Sequence, residues 1–285
     1  MPYAPSCFLV KAFFWDILRG MAWPKENNME KPKIKILSVI VPAYKQEKTI
    51  RQDLDNILST LGEGLGRDYD FEVICVVDGD MDKTFREASK IKSSKLKVFT
   101  YKVNKGKGHA VRFGMGKAKG EIISFLDAGM DISPKGIMML LAHMNWYDAD
   151  IIVGSKKHPV SRVNYPLLRK ILSLGYHVGV KLLFNLSLTD TQSGIKIFKR
   201  KVVEKILPRL LVKSYAMDIE MLSVAKYLGF NRIFEAPIEV RFNKSNSAIK
   251  WSTSFWMAWD TAAVFYRLKI LHYYDDVNRK NWITS

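Results

Sequence analysis

Residues 36–79, ILSVIVPAYKQEKTIRQDLDNILSTLGEGLGRDYDFEVICVVDG, hold the pattern that decides the fold. Ile36–Val41 is a short β-branched run, which predicts a buried strand. Pro42 lacks the amide hydrogen a sheet ladder uses, so the strand is expected to stop there. Residues 48–61 follow with helical periodicity, and Phe71–Val77 (FEVICVV) is a second apolar strand. A strand, a helix and a strand without polar alternation predict parallel pairing with both faces covered.

The alternation continues outward. A helix is expected over about 82–92, a third strand over Leu96–Tyr101 and a helix near 108–118. A fourth strand, Glu121–Leu126, precedes a helix from Pro134 to about 145 and a fifth strand at Asp150–Val153. Further on, the pattern predicts a long helix over about 164–184, a short strand at Ile195–Phe198, a helix near 216–228 and extended chain around 231–242. The expected fold is therefore α/β, a mostly parallel sheet with helices on both faces, and such sheets bind ligands at the carboxyl ends of their strands. Amphipathic helices are expected at both ends. In residues 7–23, Lys11, Asp16 and Arg19 fall on one side and Leu9, Val10, Phe13, Phe14, Ile17 and Met21 on the other. Residues 251–272 are aromatic-rich but carry Asp260, Arg267 and Lys269. The organisation read from this is a helix and linker over 1–35, one large domain over 36–245 and a helical extension over 246–285.

Composition excludes several classes. The 285 residues are 48% hydrophobic and 12% aromatic, enough for a real core and too much for a disordered chain. Two cysteines cannot make a disulfide scaffold, and Cys75 lies in a strand that reads as core. No stretch approaches the roughly 18 uncharged apolar residues a membrane span needs. The net charge of +17 is concentrated: residues 153–213 hold 13 basic side chains against only Asp190 and Glu204. A patch this one-sided implies an anionic partner, whether nucleic acid, anionic lipid or a phosphorylated substrate.

Chemistry-bearing residues recur where the strands end. Asp78 follows the second strand, with Gly79 permitting a sharp turn, while Asp127 and Asp131 share the loop after the fourth. Carboxylates gathered at several strand ends suit a divalent cation and the ribose and base of a nucleotide. Between them lies NKGKGHAVRFGM (104–115), which can set backbone N–H groups and a cation against a diphosphate at a helix start. It is neither a Walker A loop nor a dinucleotide fingerprint, because its glycine spacing fits neither.

Taken in order, these segments resemble glycosyltransferase family 2, whose members have the Rossmann-like GT-A fold. VPAYKQEKTI is similar to V-P-x-Y-N-E-E-x-x-I, VVDGDMDKT to V-D-D-G-S-x-D-x-T, and NKGKGHAVRFGM to N-x-G-K-G-x-A-x-x-x-G. DAGMDISP occupies the place of D-A-D-x-Q-x-x-P, DTQSGIKIFKR resembles the D-T-Q-C-G-F-K-x-F-x-R of polyprenyl-phosphate sugar synthases, and AMDIEML resembles F-D-V-E-L-L. The resemblance runs from about residue 36 to 242. It implies that Pro42, Ala43, Tyr44, Glu47, Asp78, Lys107, Asp127 and Ala128 line the nucleotide site. It implies that Asp127 and Asp131 contact a Mg²⁺ or Mn²⁺ ion, and that Lys156, Arg169, Ser173 and Gln192 hold an acceptor phosphate. Gly194 belongs to the acceptor loop, and Asp218 and Glu220 match an acidic pair. Asp127, Asp218 and Arg169 are the residues expected to act in catalysis.

The chain departs from the pattern at four places. Lys45 and Gln46 replace Asn-Glu, Val77 replaces the first Asp of D-D-G, Gly129 replaces the middle Asp of D-A-D, and Lys156 replaces an Arg, losing its planar fork. The activity implied is inverting transfer of a hexose from a nucleotide-diphosphate sugar, of the UDP-glucose or GDP-mannose class, to a polyprenyl or dolichyl phosphate. The D-I-E helix favours UDP-glucose. The expected setting is peripheral, on the cytoplasmic face of a membrane, with no transmembrane span and no nucleic-acid partner; the 7–23 helix either packs on the domain or lies in the membrane interface. Two alternatives stand beside this reading: transfer to a sugar or glycolipid hydroxyl with Asp218 as general base, and a basic nucleic-acid-binding protein without catalysis. The sequence leaves the oligomeric state open.

Overall fold

A computed structural model describes residues 34–156, 167–214, 216–240 and 251–282, with the side chains of 167–174, 177, 251–255 and 281 outside that description. The helix expected over 7–23 and the linker after it lie outside the described residues. Seven strands form one sheet: β1 (Lys35–Ala43), β2 (Tyr69–Val77), β3 (Leu96–Thr100), β4 (Ile122–Leu126), β5 (Ile151–Ser155), β6 (Ile195–Lys199) and β7 (Ile233–Pro237). Their order is β3-β2-β1-β4-β6-β5-β7. β6 alone runs antiparallel to its neighbours, β4 and β5. The remaining pairs are parallel.

The strand residues alternate between two cores because side chains one residue apart leave opposite faces. Ile40, Ile74, Phe125 and Phe198 enter one core. There they meet α3 (Lys107–Lys117), α6 (Arg200–Ile206), α7 (Met217–Tyr227) and residues of α5 (Leu167–Phe184) and α8 (Trp251–Lys269). Val39, Val41, Cys75 and Leu126 enter the other, against α1 (Ile50–Gly64), α2 (Thr84–Ala88) and α4 (Gly136–Trp146). Within α1, Ile50, Leu54, Ile57 and Leu61 are all fully buried, the i, i+4, i+7 spacing of an apolar stripe. Each such side chain contributes about 1.5–3 kcal/mol by leaving water. Burial pushes the Cys75 thiol up to about 12, so it is an inert core residue.

Three expectations need correction. Strand β1 does not stop at Pro42 but continues to Ala43, with Pro42 in register opposite Val76. Its pairing with β4 ends at Ile40–Phe125, so Pro42 stands beyond that ladder and its missing donor leaves nothing unpaired. The helix expected over 82–92 is only Thr84–Ala88, because the following SKIKSSK offers no second apolar turn to bury. A helix not anticipated, α6, places Val202, Val203 and Ile206 in the core. A short last helix, α9 (Arg279–Trp282), closes the described chain. α8 completes the core: Val264, Leu268 and the nearby Tyr274 are buried among the residues of α3 and α7, while Trp256, Trp259 and Tyr266 stay exposed.

Candidate active site

The carboxyl ends of β1, β2 and β4 lie side by side, as the sheet order requires. Asp78, just past β2, is buried, and its amide donates to Ala43 O at 2.8 Å. Its carboxylate accepts four hydrogen bonds: from Tyr101 Oη at 2.8 Å, Asn104 Nδ2 at 3.0 Å, Lys105 N at 2.8 Å and Gly106 N at 2.9 Å. These occupy the capacity of an ionised carboxylate. Asp78 thus faces the 104–106 loop and fixes its path. Burial, then the hydrogen bond and charge of Asp78, drive the Tyr101 phenol far above its ordinary value. Gly79 adopts φ +87°, and a Cβ there would lie 2.7 Å from Asn104 N, so only glycine lets the two loops meet.

Asp127, at the end of β4, is arranged differently. Its amide donates to Gly194 O at 3.0 Å. Lys107 Nζ donates to its Oδ2 at 2.8 Å, while its Oδ1 is buried with no hydrogen-bond partner among the described residues. A Cβ on Gly194 would lie 2.3 Å from Oδ2, so the 190–194 loop closes on the carboxylate through a glycine. Lys107 opens α3, between Gly106 and Gly108, which press against the carbonyls of Lys213 and Val212. Beyond Asp127, Gly129 and Met130 both take positive φ, +94° and +56°. Gly129 N donates to Asp53 Oδ2 at 3.1 Å, and Asn56 Nδ2 reaches Met130 Sδ at 3.3 Å. Burial pushes the Asp53 carboxyl up, against hydrogen bonds from Thr49 and Gly129. Ala128 is half-buried and Asp131 exposed on this loop. No three His, Cys, Asp or Glu side chains converge as a metal nest among the described residues.

The first loop makes a third wall. Tyr44 is exposed beside Lys45, whose Nζ lies 5.2 Å from the ring centre. Glu47 Oε2 accepts from Lys83 N at 3.1 Å, and Gln46 N donates to Thr84 Oγ1 at 2.8 Å, so the loop is tied to the start of α2. An open cleft of about 530 Å³ is lined by Lys45, Gln46, Glu47, Lys48, Thr49 and Asp82. Its lining includes neither Lys107 nor Asp127. Pro42 and Ala43, at the end of β1, are buried.

At the end of β5, among the residues expected to hold an acceptor phosphate, Lys156 N donates to Asp190 Oδ2 at 3.1 Å. Thr189 N and Asp190 N both donate to Glu235 Oε1 at 2.8 Å. Gln192 Nε2 reaches Tyr176 Oη at 3.4 Å and contacts Met257 Sδ, joining the 190–194 loop to α5 and α8. Arg169 and Ser173 belong to the first turns of α5, where side chains lie outside the described residues.

Sequence reasoning missed Lys196. Its ammonium, fully buried, donates to Asp218 Oδ1 at 2.6 Å and to Ser193 O at 2.7 Å. Burial pushes Lys196 below its ordinary value, against the pull of Asp218. Lys196 and Lys107 both approach the Phe125 ring, at 5.3 and 5.7 Å from its centre. The signal was present in IKIF: a lysine sharing the core-facing register of Phe198 needs a buried acid. Asp53 and Tyr101, which hold the loops, carried no comparable signal, and Asn104 was visible only as the first residue of the NKGKG motif.

A sequence model of the family described as Glycosyl transferase family 2 matches residues 38–207. The dolichyl-phosphate beta-glucosyltransferase of Homo sapiens is 32% identical over 257 residues, covering 83% of this chain and 76% of that protein. That of Dictyostelium discoideum is 30% identical over 243 residues, covering 81% and 74%. Among solved structures, glucosyl-3-phosphoglycerate synthase from Mycobacterium tuberculosis, in complex with Mn²⁺, uridine-diphosphate and phosphoglyceric acid, superposes with a TM-score of 0.61 at 20% identity. The match covers 81% of this chain and 78% of that one, a likeness of fold.

Proposed function

The chain belongs to glycosyl transferase family 2, and from that premise we propose that it transfers glucose from UDP-glucose to dolichyl or a related polyprenyl phosphate. The observation that carries the site is the Lys107–Asp127 pair at the sheet's carboxyl edge. One carboxylate oxygen is held by the lysine and the other is buried without a partner among the described residues. The relatives named above are glucosyltransferases of dolichyl phosphate, which supports the sugar and the acceptor.

The orphaned Asp127 oxygen is a fit site for a divalent cation, and a donor set of one or two carboxylates completed by substrate phosphates and water is ordinary for Mg²⁺ or Mn²⁺. Asp127 would hold it, with Asp131 as second ligand in place of the missing acid at Gly129. When bound, such a cation neutralises charge on the leaving diphosphate. Lys107 supplies further positive charge from the start of α3, whereas Lys105 N, Gly106 N and Gly108 N are already taken by Asp78 and Lys213 O. An acceptor phosphate oxygen attacks the anomeric carbon from the opposite face, and the bond to the diphosphate breaks with its electron pair leaving on the nucleotide. A phosphate is already ionised at neutral pH, so Lys156, Arg169, Ser173 and Gln192 need only position it. Tyr44 and Glu47 are the exposed groups of the first loop available to the base and ribose.

Transfer to a hydroxyl would need a general base, and Asp218 is its candidate. An oxygen of Asp218 already accepts from the buried ammonium of Lys196 at 2.6 Å, which counts against that role and favours the phosphate acceptor. Among the described residues no helix is long and apolar enough to cross a membrane. The exposed side of α8 carries Trp256, Trp259 and Tyr266, Ile270 just past its end is exposed too, and α5 exposes Val178 and Leu182. Aromatic faces of this kind suit the interface of a bilayer, which supports peripheral attachment, here assigned to the cytoplasmic face.

The test incubates the purified protein with Mg²⁺ or Mn²⁺, a short-chain polyprenyl phosphate and a panel of radiolabelled nucleotide sugars. Glucosyl lipid from UDP-glucose, abolished by EDTA, is expected. No labelled lipid from any donor, with the fold intact by circular dichroism, overturns the proposal.

A further inference from the structure

We infer that Glu220 is a positioning residue for the Lys107 loop, and that the C-terminal segment 260–274 acts through it as a strut of the donor site. This rests on reading Lys107 and Asp127 as the groups that face the donor diphosphate. Glu220 and Asp218 stand two residues apart near the start of α7 and point to different tasks. Asp218 goes to Lys196 beneath the acceptor loop, whereas Glu220 is fully buried against the chain that precedes its own helix.

The path from Glu220 to Lys107 is short and continuous. The Glu220 carboxylate accepts from Leu211 N at 3.0 Å and from Val212 N at 2.8 Å. Leu211–Lys213 belong to neither helix nor strand, so these side-chain bonds take the place of a ladder in satisfying their amides. The next groups along this strap, Val212 O and Lys213 O, stand where Cβ atoms of Gly108 and Gly106 would be, at 2.7 and 2.4 Å. Gly108 N donates to Lys213 O at 2.8 Å. Lys107 lies between those glycines, and its ammonium reaches Asp127. A shift of the strap therefore moves the backbone that aims Lys107.

The other side of Glu220 belongs to the C-terminal segment. Tyr274 Oη donates to Glu220 Oε1 at 2.7 Å, and the Arg267 guanidinium lies 3.7 Å from the same oxygen. Ser214, just past the strap, donates to Asp260 on α8. One buried carboxylate thus ties the strap to the far end of the segment whose outer face carries the exposed aromatic residues, and Ser214 ties it to the near end. Burial of Glu220 without these donors would be costly, and each donor contributes to fixing its place.

The test uses the full chain and two readouts, hydrogen exchange and transfer kinetics, on Glu220→Gln and the milder Tyr274→Phe. Glu220→Gln should raise KM for the nucleotide sugar at least about tenfold, with KM for the polyprenyl phosphate held within about twofold. It should also speed exchange of the 107–110 amides about tenfold while β1 and β2 keep their protection. Tyr274→Phe should move both readouts the same way, by about threefold. An unmoved donor KM or unmoved 107–110 exchange in a folded variant overturns the inference, as does an equal rise in both KM values. Should Glu220→Gln fail to fold, Tyr274→Phe decides on the same two readouts. Should the wild-type chain transfer no sugar, the proposed function fails, and exchange at 107–110 alone then decides whether Glu220 holds the loop.

Discussion

The loops after β2 and β4 each begin with an aspartate at the carboxyl edge of the sheet, and the two aspartates are used in opposite ways. Asp78 is buried and accepts from four donors, three of them in the 104–106 segment. Asp127 takes one lysine and keeps a buried oxygen with no partner among the described residues. A carboxylate with no lone pair to spare holds the loops around it, while one with an oxygen free is the one available to a ligand. Motif position alone does not separate these roles, since both residues fall where the family places its nucleotide contacts.

Substitution of the two should break the resemblance apart. Asp127→Ala is expected to lower kcat about 10³-fold, equivalent to about 4 kcal/mol in the barrier. Its thermal stability should change little, because a partly exposed ion pair is worth no more than about 1 kcal/mol. Steady-state transfer assays beside thermal denaturation measure both. Lys196→Met tests the companion case of Asp218, whose oxygen is taken by a buried ammonium. Removing that lysine leaves a buried charge unpaired and should cost about 3 kcal/mol of stability by urea unfolding. Lys196→Met with Asp218→Leu should regain most of it.

Asp78→Asn comes next in size. The amide keeps one acceptor oxygen but turns an NH₂ toward donors, leaving one or more of Lys105 N, Gly106 N and Tyr101 Oη unmatched. The expected loss is about 2 kcal/mol, read as a lower urea midpoint at unchanged slope. If Asp78→Asn were instead stable and inactive, as expected of Asp127→Ala, the division between builder and ligand would be wrong.

The sequence made the tips of the strands legible and the supports beneath them mostly invisible. Runs such as FEVICVV and EIISFL announce buried parallel strands, and the order of residues at their ends is enough to locate Asp78 and Asp127. Pro42 misleads because its effect depends on which neighbour ends first: the ladder to β4 stops two residues short of it, a fact of register and not of composition. Asp53, Tyr101 and Asn104 are ordinary polar residues until the turns at Gly129 and Gly79 bring backbone donors and loop atoms against them. Glu220 was visible as half of an acidic pair, but its partners lie 8 to 54 residues away, beyond any local periodicity. Lys196 is the exception, since a lysine on the buried register of a strand demands an acid.

A third carboxylate sharpens the comparison from the opposite end of the sheet. Glu72 in β2 is buried, accepts from Ser38 Oγ at 2.7 Å and Lys119 N at 2.6 Å, and pairs with Lys97 at 2.6 Å. Burial alone would raise its pKa, but the bonds from Lys97, Lys119 and Ser38 outweigh it and the carboxyl lies below its ordinary value. A folded value below the unfolded one means stability that is present above the unfolded value and is lost as pH falls through the folded one. Glu72→Gln should therefore flatten the fall in Tm as the pH drops below the ordinary glutamate value of about 4.5, with transfer activity at neutral pH untouched because Glu72 is remote from Lys107 and Asp127. An unchanged acid slope would show that hydrogen bonds to a buried carboxylate need not depress its pKa.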